Sequence, residues 1–141
     1  MSTHTQTLVA TGESASLRNT GELLGRVMLA VLFLMSGLGK VAAYTATAGY
    51  MHSVGVPGVL LPLVILTEVG GALAVIAGWK TRIVSLALAG FTLLTAFLFH
   101  TQFADQVQMI MFMKNISIAG AFLMLASHGA GRYSLDGRGT E

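Results

Sequence analysis

The chain contains no cysteine, and only 10% of its 141 residues are charged. Without cysteine, it can form no disulfide, thiolate nucleophile or cysteine-ligated iron–sulfur cluster, and it cannot carry out thiol–disulfide exchange. Any redox chemistry must therefore run through a bound carrier or a partner. A soluble domain carries roughly 25% charged residues, so this few cannot cover a water-facing surface. No basic cluster with interleaved aromatics is present, which excludes nucleic acid as a partner despite a net charge of +2. No GxGxxG or GxxxxGK[ST] precedes a helix, so no nucleotide site is implied. His4, His52, His100 and His128 form no metal-spaced pair, and no metal site is expected.

What the chain does have is apolar sequence in long runs. Hydrophobic residues make up 54% and the mean hydropathy is +0.74. Four stretches, residues 23–43, 59–79, 83–101 and 109–127, read as membrane spans. Each is long enough, at 1.5 Å per residue, for a hydrocarbon core about 30 Å thick. Continuous rather than alternating apolarity argues against strands, whose open edges cannot face lipid. Small residues stud all four spans, as in Gly37, Gly70, Gly71, Gly90 and Gly120; helices associate in lipid by close approach at such positions. The expected fold is all-α, an antiparallel transmembrane four-helix bundle, and the same faces could serve a homodimer.

The connections predict orientation. Lys80 and Arg82 lie between spans two and three, Arg18 precedes span one, and Arg132 and Arg138 follow span four. The connections 44–58 and 102–108 hold no Lys or Arg. Positive residues stay inside, so both termini are expected in the cytoplasm. Residues 1–21 read as a disordered cytoplasmic tail, 22–129 as the transmembrane domain and 130–141 as a second cytoplasmic tail. Tyr44, Ala48 and Met51 share a helical face ahead of Gly55, Pro57 and Gly58, which predicts a short interfacial helix over the outer mouth. Leu135-Asp136 reads as a polar tail signal without chemistry of its own. Met109, Met111 and Met113 spread around a helix, which suits lipid or core contact better than copper ligation. His128 fits a helix C-cap.

Arg26, Lys40, Glu68, His100 and Lys114 lie within or at the ends of the spans. A charge at the bilayer centre costs several kcal/mol, so such residues point first to function. Glu68 falls about 13 Å into span two, near the midplane. Its short stem cannot reach water, so it must be neutral or paired inside the bundle. Lys114 and Arg26 are the expected partners, while Lys40, at a span end, is free to snorkel. Lys114 sits about 8 Å in, beside Asn115. Three formal cations against one carboxylate leave room for an anion or an electron-rich oxygen. The expectation is an outward-opening polar pocket for an anionic or quinone-like group, lined by Lys40, Glu68, His100, Lys114 and Asn115.

Five stretches resemble the DoxX family of small bacterial inner-membrane proteins. They are GRVMLAVLFLMSGLGK (25–40), TAGYMHSVGVP (47–57), TEVGGALAVIAGWKTR (67–82), KNISIAGAFLMLA (114–126) and GAGRYSLDGR (129–138). The resemblance implies four transmembrane helices and multi-pass residence in the inner membrane. By residue it points again to Arg26, Lys40, Glu68, Lys114 and Asn115, and adds Gly37, Pro57, Gly78, Ser134 and Asp136. It implies a role as a subunit of a quinone-linked or oxidative-stress-related redox complex, with a redox-complex protein as partner. The cofactor would then be a quinone, with none covalently held. Nothing in the chain would hold haem or flavin, so a subunit is expected rather than an enzyme acting alone. The alternatives are a non-enzymatic assembly or stabilising factor and, behind it, a small-molecule transporter.

Overall fold

The computed structural model describes residues 2–140, with side-chain surroundings over 12–138. Five α-helices follow in order: α1 (Ser2–Ala42), α2 (Tyr44–Ser53), α3 (Leu61–Ala77), α4 (Thr81–Phe99) and α5 (Gln106–His128). No strand occurs among the described residues. Four of the helices are long and apolar enough to span a bilayer. The fold is the expected antiparallel four-helix bundle, and α2 is the expected short helix over one mouth. One end of the bundle carries α2 (the α2 end), and the opposite end carries the α3–α4 turn (the turn end).

α1 differs from expectation at its start. The polar stretch read as a disordered tail is helical from Ser2. Its Ala15, Leu17 and Arg18 are good helix formers, and they extend a helix that the span has already nucleated. Arg18 and Glu22, one turn apart, approach to 3.9 Å.

Local sequence explains the other boundaries. α3 follows a 3₁₀ turn, Gly58–Leu60, and has a proline in its first turn, where the missing N–H costs nothing. It ends at Gly78, which is left-handed at φ +68. The Trp79 amide donates to the Ala74 carbonyl and the Gly78 amide to Val75, a Schellman closure. Asp105 caps α5, its side chain accepting from the Val107 amide at 2.8 Å. His128 closes the same helix as expected, its Nδ1 within 2.9 Å of the Met124 carbonyl.

α1 packs mainly on α3 and α4 on α5, with α3 and α4 joining the two pairs. The core comprises Ala30, Phe33, Ala72, Val75, Leu88, Ala89, Ala119 and Phe122. Phe33 meets Phe122 edge to face at 5.2 Å, a favourable aromatic geometry. α1 and α3 come close at Gly37, where a Cβ would fall 2.6 Å from Val69 Cγ2 and 3.3 Å from its backbone nitrogen. The outer faces carry Met28, Leu63, Leu66, Leu86, Phe97 and Met124, all exposed. An apolar exterior over a small-residue interior is what a lipid solvent selects.

At the turn end, residues 133–138 fold back as a strap against the α3–α4 turn. The Leu135 amide donates to the Ala77 carbonyl at 3.0 Å, and the Asp136 amide to Gly78 at 2.9 Å. The Asp136 carboxylate accepts from the amides of Lys80 and Thr81, each at 2.8 Å. The strap thus satisfies carbonyls at the end of α3 and amides at the start of α4 that those helices leave open. This corrects the reading of Leu135-Asp136 as a polar tail signal: Asp136 caps α4 from 55 residues away. Gly78 is required here twice over. Its φ is positive, and a Cβ would run into Ser134 and Arg26.

Candidate functional site

Glu68 is buried, its side chain 7% exposed. It lies on α3 facing α1, where Gly37 lets the two helices approach. Its partner is Lys40, not Lys114 or Arg26 as the sequence suggests. Lys40 Nζ lies 2.9 Å from Glu68 Oε2 and 3.0 Å from Oε1. It also donates to Ser36 Oγ at 2.7 Å, one turn earlier on α1, and that hydroxyl donates to Glu68 Oε1 at 3.3 Å. The ammonium has three hydrogens, and these contacts occupy all three. Instead of snorkelling away, the long lysine stem turns back toward the bilayer interior.

This cluster borders a cavity of about 450 Å³ roofed by α2 and walled by α1, α3, α4 and α5. Ser36, Lys40, Glu68, His100, Lys114 and Asn115 supply most of its polar groups, while Phe33, Tyr50, Met51, Phe91, Phe99 and Ile118 form apolar walls. Five of the six residues singled out from sequence therefore border one space. His100 Nδ1 lies 2.8 Å from Gln108 Oε1; with the amide oxygen as acceptor, Nδ1 carries a hydrogen. Lys114 and Asn115 have no hydrogen-bond or ion-pair partner among the described residues. Lys40 and Glu68 pair with each other, and Lys114, exposed where it borders the cavity, has no acidic partner among the described residues.

Arg26 is the sixth residue, and the structure sets it apart. It is buried at the turn end, 2% exposed. Nη1 donates to the carbonyls of Val75 and Ile76 at 3.1 and 3.3 Å, and Nη2 donates to Tyr133. It ties the end of α3 to the strap. Sequence reasoning did not single out Ser36 as a polar participant. Its i, i+4 spacing to Lys40 was the available signal.

The donor set suits a headgroup with carbonyl or anionic oxygens. The Lys114 ammonium and the Asn115 amide can donate, and the apolar walls suit an uncharged ring or chain. No group of histidine, aspartate and glutamate side chains that could hold a metal occurs among the described residues.

Comparison with known proteins agrees with this architecture. The DoxX family model matches residues 21–101. "Inner membrane protein YqjF" of Escherichia coli (strain K12) is 52% identical over 120 residues, covering 85% of this chain and 92% of that protein. "Inner membrane protein YphA" of the same organism is 37% identical over 123 residues, covering 82% and 88%. No solved structure matches the chain. With four bilayer-length apolar helices and relatives of this kind, the chain is a multi-pass inner-membrane protein and belongs to the DoxX family.

Proposed function

We propose that the chain is the membrane subunit of a quinone-linked redox complex and that its cavity receives the quinone headgroup. One observation carries this reading. Two polar side chains without partners, Lys114 and Asn115, face the same apolar cavity as a closed Lys40–Glu68 pair. A quinone, when bound, supplies the two-electron carrier, and the electrons come from the partner protein. This chain's own residues bind and orient: Lys114 and Asn115 donate to a carbonyl oxygen, and the aromatic walls at Phe91 and Phe99 enclose the ring. The Lys40–Glu68–Ser36 cluster holds the α1–α3 wall in place without placing a net charge in the site.

The test is a melting measurement on the purified chain with a water-soluble short-chain quinone. A ligand that binds only the folded state raises the melting temperature. The wild type is expected to show the rise and Lys114→Met to lose it, while Lys114→Met alone melts close to wild type. An equal rise in both proteins would remove the proposal.

The second reading is a factor that stabilises a partner protein. It draws on Gly90 and Gly120, which lie on exposed faces of α4 and α5 with open space where a side chain would stand. Another helix could approach closely there. This reading expects a protein to co-purify whose recovery falls in Gly90→Leu, with the quinone response unchanged.

A further inference from the structure

A second concavity lies at the turn end, outside the site described above. It is an open groove of about 840 Å³ bordered by Lys80, Arg82, His128, Arg132 and Asp136. Three elements converge there: the α3–α4 turn, the end of α5 and the strap. Asp136 is its one carboxylate, and both oxygens are already engaged by the amides of Lys80 and Thr81. Lys80 and Arg82 form no ion pair among the described residues. The Lys80 ammonium stands 5.1 Å over the Trp79 ring. The Arg82 guanidinium lies against Gly129, where a side chain would meet it. The groove thus concentrates positive charge from separate segments on one spot, with its single negative group turned to other work.

From this geometry we infer that the groove is a binding site for the phosphate headgroup of an anionic phospholipid. An ammonium and two guanidinium groups around a concavity suit phosphate oxygens, with arginine able to hold two at once. The level in the bilayer favours a lipid over a soluble anion. Trp79 and Tyr133, both about half exposed, are the chain neighbours of the groove residues Lys80 and Arg132, and such aromatics settle at the headgroup boundary. Below it on α4, Ile83 and Leu86 are exposed and offer an apolar track for an acyl chain. Basic pockets at the ends of membrane helices recognise anionic headgroups by this combination. The topology rule for positive residues accounts for basic residues at one end of the bundle. It does not account for their convergence on one groove.

The experiment uses the full chain in phosphatidylcholine vesicles with and without phosphatidylglycerol. Melting is read for wild type, for Lys80→Gln/Arg82→Gln and for Arg18→Gln/Arg138→Gln. The last variant removes the same charge outside the groove. Each variant's own melting in pure phosphatidylcholine is its baseline. Phosphatidylglycerol is expected to raise the wild-type melting temperature, and the groove variant to lose most of that rise while the control keeps it. No rise in the wild type, or equal loss in both variants, overturns the inference. Inorganic phosphate producing the same rise in pure phosphatidylcholine overturns it in favour of a soluble anion. Native mass spectrometry of the wild type extracted from an equimolar lipid mixture gives a readout that needs no variant. Several-fold enrichment of phosphatidylglycerol supports the site, and equal retention of the two lipids refutes it.

Discussion

At the scale of single residues, Lys40 and Glu68 set the terms. Two charges removed from water need each other. Breaking a buried pair by deleting one partner costs more than the pair itself contributes, because a bare charge is left behind. The two ends of this pair are unequal. The Lys40 side chain is 26% exposed and the Glu68 side chain only 7%. Lys40 left alone can swing toward the bilayer surface, whereas Glu68 left alone has nowhere to go. Lys40→Met should therefore destabilise the chain by about 3 kcal/mol and Glu68→Gln by distinctly less. The double variant should recover much of the Lys40→Met loss. Unfolding of the four proteins in mixed micelles measures the coupling, and simple addition of the two losses would show that the pair does not interact. The sequence made Glu68 legible because depth alone demands a neutraliser. It hid the neutraliser because a lysine at a span end can turn outward or inward, and the choice depends on the neighbouring helix at Gly37.

Among the elements, the strap is the part that sequence reading undervalued. Helix limits and the short α2 follow from apolar run length and from Pro57, Gly58 and Gly78, all local signals. Asp136 could not be understood locally. Its role exists only once the chain returns to residues 80 and 81. In that position, burial pushes its carboxyl upward. Hydrogen bonds from Thr81 and the Lys80 amide, together with the Arg26 charge, outweigh that effect and hold it below its ordinary value of 3.8. A carboxyl depressed in the folded state adds stability above the unfolded value. That contribution is lost as the pH falls through the folded value. The strap should therefore stay docked at neutral pH and loosen only below about pH 4. Amide hydrogen exchange at Leu135 and at Thr81 should rise together in that window. Asp136→Ala should show the same exchange at pH 7, with a loss of about 1 kcal/mol, the usual worth of a capping carboxylate. Slow exchange at Leu135 in that variant would show that the backbone bonds alone hold the strap.

For the whole molecule, the number of spans and the distribution of charge constrain each other. Four spans return the chain to the side from which it started, so the strap and α1's polar beginning must share a compartment. Lys80, Arg82, Arg132 and Arg138 gather at that end, and the α2 end has no Lys or Arg in its connections. We infer that the turn end is cytoplasmic, since basic loops resist export. The cavity then opens beneath α2 on the outer side, and the lipid groove faces the cytoplasmic leaflet, whose anionic lipids carry the complementary charge. The absence of cysteine makes the orientation simple to read, because any introduced thiol is the only one. Gln102→Cys, in the exposed α4–α5 connection, should react with a membrane-impermeant maleimide in intact spheroplasts. Arg138→Cys should react only after lysis. The reverse pattern would turn the molecule over. It would place the quinone cavity toward the cytoplasm and send the anionic-lipid groove to the outer leaflet, and both proposals would then need a different supply of ligand.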